Sequence, residues 1–525
     1  MTGTATLLRH FLRRDRWQLL WWTVGATVLY WSQAVSVDGL YATQAELDRA
    51  AAGMQGNAAL VAMAGPARAL NTVGGQVTWQ ATAFGAVVAG LMSMFLVARH
   101  TRAEEESGRD ELLRASAVGR FAPMTAALAT AGVGNVLLGT GVTASLIGYG
   151  LAVPDSLALG VGLTGCGWLF SATALVAAQL SASTRAMYGI AGAVIGLAYV
   201  VRAVGDLGTS ALTWLSPIGW YQGMHAFSGV RWWPLLILVF ATAALTTAAY
   251  AVFDLRDHGA GVLAARPGPA RAGTSLTRPS GMGLAWRLQR GAALAWSVGL
   301  ALTGLAYGSL GNGVGALIGD SQTARDLMTG STGDLIDGFY GTAMLMLALM
   351  ACGFAVSSAL RPRTEEDDGR VEALLATGLP RAHWLLGHVA VTIAGTAMVV
   401  GAGGLGLGVG YALTTGDEGA VGRFTLDTLG YLPPVLVLAG LTRLLVGLVP
   451  RAASAGWLGL GWCVVVLLFG TLLGLPGWVQ GTSPFDHLAL VPVEPFRWGP
   501  FVLLLLVAGL LSGAGQLAFT RRDVR

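Results

Sequence analysis

The sequence contains no lysine: all 32 of its cationic side chains are arginine. A Walker A loop needs its lysine to reach the β- and γ-phosphates, so this chain does not carry one. Cysteine is nearly as scarce. The three present (Cys166, Cys352, Cys463) lie inside apolar runs, which excludes a disulfide framework or a zinc site and leaves small packing residues. Charge is sparse as well, at 11% of residues. No Asp or Glu falls within the core of any long apolar run. The one clear charge inside such a run is Arg443, close enough to its end to snorkel. A carrier driven by an ion gradient usually keeps an ionisable group near the midplane, so this absence disfavours one. The histidines show no metal-ligand spacing, and no nucleophile–base pair or carboxylate pair stands out; no catalytic or metal residue is assigned.

What is present is apolar. Hydrophobic residues make up 54%, mean hydropathy is +0.62, and there are 76 glycines, the profile of an all-α polytopic membrane protein. Runs long enough to span a bilayer fall near 18–35, 78–98, 122–148, 157–180, 186–203 and 233–252, then near 292–310, 339–360, 383–412, 429–449, 453–474 and 499–519. That predicts about 12 transmembrane helices. The N-terminal MTGTATLLRHFLRRDRW lacks a signal peptide's apolar core and cleavage site. With both termini cytoplasmic, loops assigned to the cytoplasm hold 25 arginines and outer segments hold seven, the positive-inside bias.

The two halves resemble each other. At an offset of 261, RAEEESGRDELLRASAVGR (102–120) meets RTEEDDGRVEALLATGLPR (363–381) with nine identities. At an offset near 266, SPIGWYQGMHAFSGVRWWP (216–234) aligns with SPFDHLALVPVEPFRWGP (483–500), and FDLRD (253–257) with FTRRD (519–523). Both charged loops follow the second span of their half and face the same side. The pattern predicts two parallel six-helix repeats with a pseudo-two-fold axis along the membrane normal. The expected domains are 1–257, a Pro-, Gly- and Arg-rich cytoplasmic linker over 258–282, and 283–525.

Nine of the nineteen residues in 102–120 are charged. The spacing predicts a short helix in each loop, with Glu105–Arg109, Asp110–Arg114 and Glu366–Arg370 as i,i+4 pairs. Two matched acidic clusters on the cytoplasmic face point to a two-fold symmetric partner. The segments before the last span of each half collect aromatics and prolines: Trp214, Pro217, Trp220, Tyr221, Met224 and Phe227, then Trp478, Pro484, Phe485, His487 and Phe496. These fit short broken helices. GAGGLG (401–406) matches a dinucleotide-binding pattern but sits inside a long apolar run, where small residues serve close helix packing.

RHTRAEEESGRDELL (99–113), LSPIGWYQ (215–222), RDHGAGVL (256–263), EEDDGRVEALLATGLPR (365–381) and SPFDH (483–487), in this order, resemble the membrane subunit of ABC-2 type exporters, and more closely the actinobacterial polyketide-antibiotic permeases of the tetronasin-resistance type. The resemblance implies a multi-pass protein of the bacterial cytoplasmic membrane. It implies two copies of a cytosolic ATPase holding ATP and Mg, with no cofactor on this chain. It implies hydrophobic small-molecule cargo, membrane lipid as surroundings, and no nucleic acid. Coupling helices are expected at about 103–118 and 364–379, carried by Arg102, Glu104, Glu105, Gly108, Arg109, Glu111 and Leu113, and by Glu365, Glu366, Gly369, Arg370, Glu372 and Leu374. The two aromatic segments, about 207–231 and 475–497, are implied to form an outer gate. Alternatives are an ion-gradient-driven efflux carrier and a lipid exporter of the same ABC class.

Overall fold

The computed structural model describes residues 2–41, 43–54, 58–208, 210–257, 259–263, 281–310, 335–470 and 475–522. Among these every regular element is helical. Eleven helices are long and apolar enough to cross a membrane, so the chain is an all-α polytopic membrane protein. Most of the 258–282 linker lies outside the described residues. By contacts the chain forms two compact units, Met1–Gly268 with Gly319–Ser321, and Pro269–Ile318 with Gln322–Arg525.

The first unit runs α1 (Thr4–Leu40), α2 (Gln44–Met54), α3 (Ala58–Ala64), α4 (Val73–His100), α5 (Arg102–Glu106), α6 (Arg109–Arg114), α7 (Ala122–Tyr149), α8 (Val153–Leu180), α9 (Thr184–Leu207), α10 (Ser210–Thr213), α11 (Pro217–Gln222) and α12 (Trp233–Leu255). Helix starts follow local chemistry. Thr72 caps α4 by accepting from Gly75 N at 3.0 Å, and Ser183 caps α9 by accepting from Ala186 N at 3.2 Å. α4 and α8 form the middle of the unit, with 72% of their apolar windows buried against 11% for α12. Asn135 on α7 donates to Ser93 on α4 at 2.9 Å and to Ser171 on α8 at 3.3 Å, a buried polar joint between three helices.

The eleven spans leave out α1, which covers the expected first span. α1 is 37 residues long, but Trp, Tyr, Gln and Thr dilute its hydropathy. The expected fifth span ended at 203; α9 continues to Leu207 and so includes Asp206, a carboxylate the apolar run had excluded.

The second unit runs α13 (Gly281–Gly308), α14 (Leu335–Asp367), α15 (Arg370–Leu375), α16 (Arg381–Thr415), α17 (Gly419–Leu429), α18 (Leu432–Leu448), a 3-10 turn (Pro450–Ala455), α19 (Gly456–Phe469), α20 (Gly477–Gln480), a second 3-10 turn (Pro484–His487) and α21 (Trp498–Arg521). The glycines of GAGGLG lie in α16 and let α13 approach closely: a Cβ on Gly406 would sit 2.0 Å from Ala301 O. α18 and α21 are equally tight, since a Cβ on Gly447 would meet Gly515 O at 2.2 Å. That closeness encloses Arg443. It is 7% exposed and donates to Ser512 Oγ at 3.0 Å instead of snorkelling to the helix end.

Candidate functional site

Neither charged loop is the single helix expected. In the first, α5 and α6 are separated by Ser107 and Gly108, with Gly108 at φ +72; in the second, α14 continues through Pro362 to Asp367 and breaks at Gly369, φ +69, before α15. The matched glycines stand where the backbone turns left-handed, a conformation L side chains adopt only at a cost.

The acids pair differently from the i,i+4 expectation. Glu105 binds Arg102 on its own loop at 2.7 Å and Arg256, at the end of α12, through both of that guanidinium's terminal nitrogens. Glu366 binds Arg363 at 3.1 Å and Arg522, just past α21, at 2.6 and 2.7 Å. The two clusters correspond position for position under the offsets of 261 and 266. In each, the last arginine also covers a phenylalanine one turn earlier: Arg256 lies 5.2 Å from the Phe253 ring centre and Arg522 4.7 Å from that of Phe519. The neighbouring acids match too. Glu104 meets Arg109 at 3.7 Å and Glu365 meets Arg370 at 2.8 Å. For Asp110–Arg114, the Arg114 side chain lies outside the described residues, as do those of Leu112 and Leu113.

The first loop is tied to more elements than the second. Arg14 of α1 meets Glu104 at 2.6 Å. Arg102 donates to Ala178 O at 2.6 Å, satisfying a carbonyl at the end of α8. Glu106 accepts from the backbone and hydroxyl of Thr184, at the start of α9. Beside the loop, Asp15 and His100 form a buried pair, with the His100 ring stacked on Phe11 at 3.9 Å. The second loop uses an apolar contact, Val371 with Trp384, Leu385 and Phe519. What each loop leaves exposed is again matched: Gly108, Arg109 and Glu111 in one, Gly369, Arg370 and Glu372 in the other.

The aromatic segments at the far ends of these helices differ from each other. In the first unit, Trp214 stacks on Trp233 at 4.9 Å between centres, and its carbonyl accepts from Trp220 Nε1 at 2.6 Å. Tyr221 and Met224 are buried, and the Tyr221 hydroxyl donates to Leu159 O at 2.9 Å. Pro217 opens α11, and Phe227 N donates to Asp155 Oδ1 at 2.8 Å. In the second unit Pro484 starts a 3-10 turn whose Phe485 is buried, while Trp478 is 78% exposed. His487 Nε2 lies 2.9 Å from Gly481 O, and Phe496 packs edge-on to Trp498 at 4.9 Å.

Sequence reasoning missed the segment 58–72, which is sewn over this end of the first unit. Arg202, fully buried in α9, donates to Met63 O at 3.0 Å, pairs with Asp206 at 3.4 Å and lies over Tyr199. Gln222 donates to Ala64 O at 2.9 Å and Trp79 to Gly65 O at 2.8 Å. Ala64, Trp79 and Gln222, with Arg68 and His225, line a cavity of about 30 Å³. Burial, and then the charges of Arg68 and Arg231, push the His225 imidazole down to about 4. The available signal was Arg202-x3-Asp206, an i,i+4 pair beside an apolar run.

The helices define an all-α polytopic membrane protein, and its two units carry matched charged loops. The chain belongs to the Rv1217c multidrug efflux permease family. The family model described as "Multidrug efflux system permease Rv1217c, C-terminal domain" matches residues 7–254 and 278–520. The chain is 39% identical to the multidrug efflux system permease protein Rv1217c of Mycobacterium tuberculosis over 530 aligned positions, covering 100% of this chain and 96% of that protein.

Proposed function

We propose that the protein is the membrane-embedded subunit of an ATP-driven exporter of ABC-2 type, moving hydrophobic or amphipathic compounds out across the bacterial cytoplasmic membrane. Two copies of a separate cytosolic ATPase, holding ATP and Mg, supply the energy. The observation that carries this reading is the pair of loops that repeat both sequence and internal geometry and leave the same residues exposed. A solvated connector needs no such matching; two equivalent docking surfaces do. Gly108, Arg109 and Glu111, and Gly369, Arg370 and Glu372, are the contact residues in this reading, while Glu105 and Glu366 hold the loops to their own units.

The chain has no lysine for a Walker A loop, so this reading assigns ATP hydrolysis to a partner. The relative's name, a permease of a multidrug efflux system, supports a drug-like cargo. Apolar spans with few ionisable groups suit such a molecule better than an ion. The aromatic segments 207–231 and 475–497 then serve as the outer gate, opening when ATP closes the partner subunits. Closure drives the change only if the ATPase binds the two states of the permease with different affinity.

Purification of the tagged chain from its own host in mild detergent tests this. A stoichiometric P-loop ATPase that comes with it, together with ATP-dependent drug transport by the reconstituted pair, is the expected result. A chain that purifies alone and moves drug on a proton gradient without ATP refutes the reading.

A further inference from the structure

We propose that the two Arg–Glu–Arg clusters, Arg102–Glu105–Arg256 and Arg363–Glu366–Arg522, are clamps that make each charged loop and the last helix of its unit move as one body, and that transport requires them. The inference rests on the exporter reading and adds the route by which loop movement reaches the far side.

Burial makes these clusters stiff. Side-chain exposure is 1% for Arg102, 9% for Glu105 and 3% for Arg256; the second cluster is looser at its rim, with 1% for Glu366, 19% for Arg522 and 25% for Arg363. Sliding a loop away from its helix end would leave a buried charge short of a partner, which is strongly unfavourable. The loop is therefore held to the helix more firmly than a surface pair would hold it. Arg256 and Arg522 are also seated on the phenylalanine one turn back, which fixes the guanidinium's direction.

The last helices connect the two ends of each unit. α12 starts at Trp233, stacked on Trp214 of the first aromatic segment, and ends beside Arg256. α21 starts at Trp498, packed on Phe496 of the second segment, and ends beside Arg522. A helix of 23 or 24 residues is about 35 Å long. Displacement at the clamped end is thus delivered directly to the aromatic segment. The same device in both units, built from residues that align only when two different offsets are used, argues for a shared task beyond local stability.

The test uses the full chain co-expressed with its ATPase, in proteoliposomes, with ethidium as the transported probe. One variant combines Arg256→Gln with Arg522→Gln. The second keeps the positive charge opposite each glutamate, Arg256→Lys with Arg522→Lys. The glutamine variant should retain the ATPase and hydrolyse ATP at close to the wild-type rate, while transport falls about tenfold or more. The lysine variant should recover transport to within about threefold of wild type. Wild-type transport by the glutamine variant overturns the proposal. So does a lysine variant that is abundant and ATPase-bound yet does not transport, and this second result decides the matter if the glutamine variant fails to accumulate. A wild-type chain that brings no ATPase refutes the exporter reading itself, and is recognised before any variant is made.

Discussion

Glu366 and Arg522 lie 156 positions apart and meet in a two-pronged ion pair, with N–O distances of 2.7 and 2.6 Å. The carboxylate is buried and the guanidinium mostly so. Replacing Glu366 strands Arg522 in a poorly solvated place and replacing Arg522 leaves Glu366 with Arg363 alone, whereas replacing both removes the mismatch. Glu366→Gln and Arg522→Gln should each lower stability by about 2–3 kcal/mol, and the double variant should lose little more than one of them. Thermal unfolding of the four proteins in one detergent measures this. Additive losses would show that the pair is not coupled.

The docking assignment makes a different demand on residues a few positions away. Glu111 and Glu372 are exposed and equivalent in the repeat. Glu111→Arg with Glu372→Arg should leave the unfolding free energy within about 0.5 kcal/mol of wild type, as surface changes do, while the ATPase no longer co-purifies. Reversal of Glu105 and Glu366 should instead destabilise the permease before any partner is added. Were the exposed pair harmless to assembly, the docking surface would lie elsewhere.

Long apolar runs made most helices legible, because a span needs about 20 such residues whatever its neighbours. Ends were less so. α14 carries Pro362 inside it and continues to Asp367, and α9 takes in Asp206, because packing overrode local composition. The repeat at 102–120 and 363–381 located both charged loops, yet local spacing assigned Glu105 and Glu366 to the wrong arginines. Their partners come from the FDLRD and FTRRD matches, so the information was present in a second offset and became a contact only in three dimensions. Nothing in composition marked 58–72, whose backbone carbonyls rather than side chains receive Arg202, Gln222 and Trp79.

Gly108 and Gly369 allow a sharp test of why the loops bend. A Cβ at either position would meet nothing within 4 Å, so space is not the constraint. Their φ values of +72 and +69 are. Gly108→Ala and Gly369→Ala should each cost about 1–2 kcal/mol, and the corresponding Asn variants clearly less, because Asn visits the left-handed region more easily. Denaturation of the four variants, with co-purified ATPase as a second readout, separates strain from steric loss. Equal costs for Ala and Asn would rule out the conformational explanation.

The segment at the far end of the first unit should respond to acid through His225. Burial first, and the nearby guanidinium groups of Arg68 and Arg231 second, lower its pKa from 6.5 to about 4. Between those values the unfolded chain takes up a proton that the folded one refuses, so stability rises with pH there and is lost as pH falls from 6.5 towards 4. Above 6.5 the imidazole is neutral in both states and contributes no slope. Hydrogen-exchange protection of residues 58–72 and 217–228, taken relative to the intrinsic amide rate at each pH, should therefore fall on acidification across this window, and His225→Asn, which keeps a residue tolerant of the local φ of 53, should flatten the response. An acid response unchanged in His225→Asn would assign the sensitivity to another group.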